Sequence, residues 1–130
     1  MSTVSTFEVP EFTLENGGRL APARLVYGAY GRLSPARDNA IVFPTAFGGR
    51  HVDNEWLIGP GLPLDTDRYF VIVPNLLGNG VSSSPSNYDG SFPPVTIRDN
   101  VRFQKQLVDH LGVRRLALVV GYSMGGQQAY

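Results

Sequence analysis

The 130-residue chain contains no cysteine, and that absence alone excludes several kinds of chemistry. Without thiols there is no disulfide, no thiolate-bound metal and no cysteine nucleophile, and the cytoplasm is the expected compartment. An excess of charge of one sign is also lacking, since eleven basic residues balance eleven acidic ones. The chain therefore does not have the basic composition typical of proteins that bind nucleic acid or anionic membranes.

Long apolar runs are missing as well. No stretch approaches the roughly 20 residues that a membrane-spanning helix needs, and the first six residues do not form a secretory leader. Three aspartates, Asp53, Asp65 and Asp67, lie among turn formers with no histidine at ligand spacing, so no metal site is expected. No glycine-rich segment completes a phosphate-binding motif, so no permanently bound cofactor is expected either.

What is present is a succession of apolar segments typical of an α/β sheet. Residues 7–14 and 20–30 flank an Asn-Gly-Gly turn and predict an antiparallel hairpin at the sheet edge. Three short apolar runs predict interior parallel strands, at residues 40–43, 69–73 and 116–120.

One helix is predicted over residues 96–111. Thr96 and Asp99 have the spacing of a capping box, and Gly112 is placed to end the helix. His110 lies near the helix C-terminus, where a cation suits the macrodipole. The apolar stripe predicted to face the core comprises Ile97, Val101, Leu107, Val108 and Leu111.

The most informative motif follows the last predicted strand. Gly121, Tyr122, Ser123, Met124 and Gly125 match the G-x-S-x-G pattern of a nucleophile elbow. Such an elbow exposes the serine hydroxyl on a sharp strand-to-helix turn, and the N–H of Met124 can face a developing oxyanion. Gly121 and Gly125 are expected because a Cβ at either position would collide with the adjacent strand or helix. The alternative is an ordinary turn whose serine caps the helix.

A second oxyanion N–H is expected from the loop after the strand at residues 40–43. Ala46 is the favoured donor and Phe47 the alternative, while a glycine loop without catalytic duty is the third interpretation. Phe47, His51 and Tyr122 are predicted to border the active site. As a general base His51 would require an unusual chain order, because it precedes Ser123.

Three segments resemble the homoserine O-acetyltransferase group of α/β-hydrolase-fold enzymes. They are the helix start at residues 96–104, the elbow at residues 121–129, and Gly48 with His51 and Val52. The resemblance extends from about Phe12 to the C-terminus and implies an α/β-hydrolase fold.

The resemblance also implies a chemistry. Ser123 would be the acylated nucleophile, and the backbone amides of Met124 and Ala46 would form the oxyanion hole. An acyl group would pass from acetyl-CoA, or another acyl-CoA, to the serine and then to the hydroxyl of a small molecule.

Two loops depart from the pattern of that group. Members that acetylate homoserine have His-Ala-Leu-Thr-Gly where this chain has residues 44–48, and a Gly-Thr-Thr-Gly-Pro-like segment where it has residues 80–85. The differences leave room for another alcohol, or for water, in which case the protein is a serine esterase. A non-catalytic binding module that keeps the fold is a third hypothesis, opposed by the strain that an intact elbow retains.

The acid and base of this fold follow the serine in the chain, yet only seven residues follow Ser123 and both histidines precede it. We therefore expect residues 1–130 to be the N-terminal part of a single domain. Further sequence or a second chain would complete it and supply the Asp and His, and this part alone would be inactive. A homodimer is one candidate assembly.

Overall fold

A computed structural model describes residues 2–130, and a five-stranded mixed sheet is its framework. Two α-helices and two 3₁₀ helices connect or flank the strands. The strands are β1 (Ser2–Val9), β2 (Phe12–Thr13), β3 (Arg19–Leu20), β4 (Ala23–Tyr30), β5 (Ala40–Val42), β6 (Phe70–Pro74) and β7 (Leu116–Val119). The helices are α1 (Ile97–His110) and α2 (Met124–Ala129), with 3₁₀ helices at His51–Leu57 and Pro85–Asn87.

The strand order in the sheet is β1-β4-β6-β5-β7. β1 pairs antiparallel with β4, and β4 pairs antiparallel with β6. β5 lies between β6 and β7 and runs parallel to both. The predicted α/β architecture, an antiparallel edge followed by parallel strands, is therefore confirmed. The prediction of an interior strand at residues 116–120 is wrong for these residues, because β7 pairs only with β5 among residues 2–130 and its side chains are exposed.

The edge hairpin differs from the prediction in where its strands break. The segment 7–14 is not one strand, because β1 ends at Val9, immediately before Pro10. Proline has no N–H to donate to a ladder and commonly ends a strand. The chain then forms a separate small hairpin, β2–β3, around the predicted Asn-Gly-Gly turn, and β1 finds its partner in β4.

Side chains alternate between the two faces of the sheet and build a core on each. On one face Ile72 and Val42 pack with Phe103 and Leu107 of α1. On the other face lies a second cluster, which includes Ile41, Phe43, Val71, Val73 and, at the end of the first 3₁₀ helix, Leu57 and Ile58. The period of two along each strand produces this separation. Among residues 2–130, no helix combines the length and the apolar character that crossing a bilayer requires.

Helix α1 begins and ends as its sequence predicts. Thr96 Oγ1 accepts a hydrogen bond from Asp99 N at 3.1 Å, and Asp99 Oδ2 accepts one from Thr96 N at 3.0 Å. Gly112 follows the helix with φ +77°, a conformation that favours glycine.

The buried face of α1 was predicted less well. Val101 is 39% exposed, whereas Phe103 is fully buried together with the polar side chains Asn100 and Gln104. These amides lie on the inner face because each finds a partner there. Asn100 Oδ1, for example, accepts from Leu77 N at 2.7 Å.

Asp99 connects this helix to the small hairpin. Its side chain is fully buried, and Oδ1 accepts a hydrogen bond from Glu15 N at 2.8 Å while Oδ2 serves the cap. One carboxylate therefore holds the backbone N–H of Thr96 and that of Glu15, which lies 84 positions before Asp99.

Asp99→Ala should lower the free energy of unfolding by about 1–3 kcal/mol, because it removes one half of the capping box and leaves two partly buried N–H groups without an acceptor. Asp109→Ala is the matched control, since among residues 2–130 the side chain of this exposed aspartate binds only Lys105. Urea unfolding of the complete protein measures both. Equal stability of the two variants would contradict the assigned role of Asp99.

Tyr30, at the end of β4, anchors the first 3₁₀ helix. Its hydroxyl donates to Glu55 Oε1 at 2.8 Å. Burial, and then the hydrogen bond and charge of Glu55, raise the pKa of the Tyr30 phenol well above its ordinary value of 10.0. The folded chain therefore keeps this proton at a pH where the unfolded chain loses it.

The stability of the protein should consequently fall as the pH rises above about 10, because deprotonation then favours the unfolded chain. Tyr30→Phe should reduce this alkaline loss, measured by urea unfolding at several pH values. Tyr69→Phe, at a half-buried tyrosine of the same region, should leave the loss unchanged. Identical pH profiles for Tyr30→Phe and the unmodified protein would refute the assignment.

Candidate active site

Ser123 has the backbone conformation of a strained turn. Its φ is 53° and its ψ is −130°, a combination that side-chain-bearing residues rarely adopt, and α2 begins at the next residue. The side chain is exposed and makes no capping hydrogen bond to α2. The serine therefore does not serve as an ordinary helix cap, and its hydroxyl is available to solvent.

The glycines on either side of the serine lie against backbone. A Cβ added to Gly121 would collide with the carbonyl group of Gly125. A Cβ added to Gly125 would lie 2.6 Å from the carbonyl oxygen of Pro44, in the loop after β5. The first turn of α2 thus packs directly on Gly121, just after β7, and on that loop, at distances only glycine permits.

The loop after β5 turns tightly directly beyond this contact. Gly49 N donates to Ala46 O at 3.0 Å, and Gly48, within the turn, has φ +74°. Phe47 projects at the tip with 76% of its surface exposed. The turn keeps the backbone of residues 46–49 close to the elbow.

Thr45 fixes the start of this turn and is fully buried. Its N–H donates to Pro74 O at 3.4 Å, and its Oγ1 accepts from Leu76 N at 3.0 Å. Its carbonyl oxygen accepts from Gln128 Nε2 of α2 at 3.0 Å. Three separate elements therefore hold the residue that precedes Ala46.

Two backbone amides near Ser123 are left without an acceptor. Within residues 2–130, neither Ala46 N–H nor Met124 N–H makes a hydrogen bond. Free amides from a loop and from a helix start, brought together by the Gly125–Pro44 contact, are the groups from which oxyanion holes are built.

A cleft of about 380 Å³ opens beside these elements. Phe47 and Gly48 of the turn and Met124 of the elbow line one side. The remaining lining comes from residues 76–79 and from the start of α1, including Asn79, Thr96 and Asn100. The cleft therefore lies against both segments that carry the free amides.

His51 forms its hydrogen bonds with Asn75 and not with the serine. It is buried at the start of a 3₁₀ helix, with its N–H donating to Asn75 Oδ1 at 2.9 Å and its Nδ1 accepting from Asn75 Nδ2 at 3.0 Å. The same amide nitrogen donates to Val26 O at 2.9 Å. His51 thus packs against β4 and the end of β6, and no hydrogen bond connects it to Ser123 in residues 2–130.

Tyr122 and His110 make no hydrogen bond with Ser123 among residues 2–130. The Tyr122 hydroxyl donates to Asn54 Oδ1 at 3.3 Å, and its ring meets Phe43 edge-on at 6.1 Å. His110 is exposed at the end of α1 with its ring 4.9 Å from that of Phe7. In the described part of the chain, no base contacts the serine, and no group of three metal-binding side chains forms.

Sequence reasoning missed the buried amides around the loop. Asn54 Nδ2 donates to the carbonyls of Phe43 and Pro44, at 3.2 and 3.3 Å, and Gln128 reaches Thr45 from the opposite side. The available signal was a polar residue on an otherwise apolar face, as Gln104 is beside Phe103 and Leu107.

Known proteins similar to this chain belong to a family whose fold contains such an elbow. A family model described as alpha/beta hydrolase fold matches residues 39–130. The homoserine O-acetyltransferase of Gluconobacter oxydans is 44% identical over 137 aligned positions, which cover 89% of this chain and 35% of that protein. The resemblance inferred from the helix start and the elbow is thus confirmed.

Solved structures give the same fold. The acetyl esterase MekB superposes with a TM-score of 0.93 at 38% identity, across 97% of this chain and 39% of that one. Homoserine O-acetyltransferase from Bacillus anthracis superposes with a TM-score of 0.84 at 31% identity, across 98% and 42%. The chain therefore spans less than half the length of these relatives.

Gly125→Ala should lower the free energy of unfolding by about 2 kcal/mol, because the clash with Pro44 O outweighs the better helix propensity of alanine. Gly18→Ala is the control, since the nearest atom to its new Cβ belongs to the flexible side chain of Asn16. Urea unfolding of the complete protein compares them. A Gly125→Ala variant as stable as the unmodified protein would show that the close approach is absent.

Proposed function

Because the chain belongs to the α/β hydrolase fold family, we propose that it forms part of an acyl-transfer enzyme that works through an acyl-Ser123 intermediate. The observation that carries this proposal is the strained, exposed Ser123, which makes no capping bond and stands beside two unbound amides. Backbone strain of this kind persists where function requires it.

The proposed reaction begins with attack of Ser123 Oγ on the carbonyl carbon of an acyl thioester. The serine proton passes to a base, and the carbonyl oxygen becomes an oxyanion. This oxyanion accepts hydrogen bonds from the N–H groups of Met124 and Ala46. Collapse of this intermediate breaks the carbon–sulfur bond, and the thiolate leaves with the proton from the base. A second hydroxyl then gives its proton to the base and attacks the acyl-serine. The bond between the acyl carbon and Ser123 Oγ breaks, the base returns the proton to Oγ, and the product ester leaves.

We propose that the base and its carboxylate partner come from outside residues 1–130. His51 is bound to Asn75 and His110 lies beside Phe7, so neither is arranged to take the serine proton. An intact-mass spectrum of the protein purified from its source tests this part. A longer chain or a second chain is expected, and a 130-residue protein that is active alone would overturn it.

Acetyl-CoA is the proposed donor and a small alcohol such as homoserine the proposed acceptor. The support is the identity to the transferase of Gluconobacter oxydans and the superposition on that of Bacillus anthracis. The acceptor would approach through the cleft lined by Phe47 and Met124, because this cleft adjoins the proposed oxyanion amides.

A serine esterase is the second candidate, and a specific observation favours it. The loop at residues 44–48 departs from the pattern of the transferases, and it carries an exposed Phe47 at the site. The similarity to the acetyl esterase MekB is also closer in identity and TM-score than that to the Bacillus anthracis transferase. In this reading water replaces the alcohol in the second step.

Ser123→Ala in the complete protein should reduce acyl transfer by about 10⁴-fold or more, because the nucleophile is lost while the fold is kept. Mass spectrometry of the unmodified protein mixed with acetyl-CoA should place one acetyl group on the peptide that contains Ser123. Ser86→Ala, at an exposed serine of the second 3₁₀ helix, is the control and should retain full activity. Full activity of Ser123→Ala would refute the assignment.

The release of CoA distinguishes the two candidate functions. A transferase should release CoA slowly until homoserine or another alcohol is added, since it must exclude water from the acyl-enzyme. An esterase should turn over acetyl esters at the same rate with or without the alcohol. A rate that is independent of every alcohol tested would favour the esterase.

A further inference from the structure

Two buried glutamines connect the elbow helix, α1 and the loop after β5. Gln104 of α1 and Gln128 of α2 are 6% and 5% exposed. Gln104 Nε2 donates to Gln128 Oε1 at 2.7 Å. Gln128 Nε2 in turn donates to Thr45 O at 3.0 Å and to Met124 O at 3.3 Å.

The chemistry of the partners allows only one orientation of this pair. Thr45 O and Met124 O are carbonyl oxygens, which accept and never donate, so the Gln128 nitrogen must face them. Its oxygen then faces Gln104, whose nitrogen is the donor that this oxygen requires. Each amide group therefore determines how the next one is turned.

Through its bond to Thr45 O, Gln128 also orients the peptide between Thr45 and Ala46, whose N–H is part of the proposed oxyanion hole. In a trans peptide the C=O and the following N–H point in opposite directions. Because Gln128 draws Thr45 O towards the interior, Ala46 N–H must point away from Gln128. No acceptor among residues 2–130 binds that N–H.

We propose, on the basis of the function proposed above, that Gln128 is a positioning residue for the oxyanion hole and that Gln104 holds it in place. Gln128 fixes the Thr45–Ala46 peptide so that Ala46 N–H, and not Thr45 O, faces the developing oxyanion.

The other hydrogen bonds near this peptide bind its neighbours and not the peptide itself. The bonds from Thr45 N–H and to Thr45 Oγ1 fix the residue on its N-terminal side, and the bond from Gly49 N holds the carbonyl of Ala46. None of these bonds is made to the carbonyl or the N–H of the Thr45–Ala46 peptide itself. Gln128 makes the only side-chain hydrogen bond to it among the described residues. Rotation would turn a carbonyl oxygen towards the oxyanion, which repels it.

An amide side chain suits this task because it donates and accepts at once without carrying charge. A lysine could not accept from Gln104, and an ionised carboxylate could not donate to Thr45 O. A charge at this buried position would also need a counter-charge.

The test replaces Gln128 with methionine in the complete protein, because methionine keeps the length and packing of glutamine but cannot donate. We expect kcat for p-nitrophenyl acetate to fall about 10- to 100-fold with little change in KM, since a misdirected oxyanion donor affects only the transition state. Gln127→Met, at the exposed neighbour in the same helix, is the control and should keep full activity.

A second measurement separates positioning from loss of folded protein. A short-chain thioether trifluoromethyl ketone adds to the serine and places its own oxyanion in the hole, and its inhibition constant does not depend on how much enzyme is active. This constant should rise by the same factor as kcat falls. An inhibition constant equal to that of the unmodified protein would overturn the proposal.

Gln104→Met provides an independent variant that leaves Gln128 in place. It should reduce kcat and weaken the inhibitor by about 3- to 10-fold, and the double variant should be no worse than Gln128→Met because the two residues act as one unit. Losses that multiply would overturn the role given to Gln104. Where Gln128→Met does not fold, the parallel change of both constants in Gln104→Met decides the question.

The outcomes separate this proposal from the proposed function. Full activity of Ser123→Ala would remove the acyl-serine chemistry and the oxyanion hole together. An inactive Ser123→Ala beside a fully active Gln128→Met would leave the function standing and overturn only the role of Gln128.

Discussion

Backbone packs directly on backbone where α2 begins, and the rest of the site depends on that contact. The Cα of Gly125 lies so close to the carbonyl of Pro44 that a Cβ would sit 2.6 Å from its oxygen. This approach brings the residue after Ser123 alongside the loop that carries Ala46. The glycines at positions 121 and 125 are consequences of the same requirement, since only hydrogen fits between these segments.

Hydrogen bonds from buried, uncharged side chains hold the loop on both sides of this contact. Asn54 binds the carbonyls of residues 43 and 44 from the 3₁₀ helix, while Gln128 binds that of Thr45 from the elbow helix. Neutral amides satisfy backbone groups in a buried setting without the desolvation cost of an ion. The loop therefore owes its shape to its neighbours more than to its own sequence.

Much of the fold was predictable because its signals are local. The apolar runs that became β5, β6 and β7 and the capping box of α1 involve residues close in the chain. The hairpin was predicted wrongly for two reasons: the local stop at Pro10 was overlooked, and the pairing of β1 with β4 depends on distant segments. At the site, the elbow motif indicated Ser123, whereas Gln104 was hidden because a polar residue on a buried face is explained only by partners that folding supplies.

The positive φ of Ser123 destabilises the folded chain at the residue that carries the proposed nucleophile. Glycine would adopt this conformation without strain, so Ser123→Gly should raise the free energy of unfolding while it removes the hydroxyl. If the proposed acyl transfer were no longer needed, replacement of Ser123 by glycine would stabilise the folded chain rather than damage it.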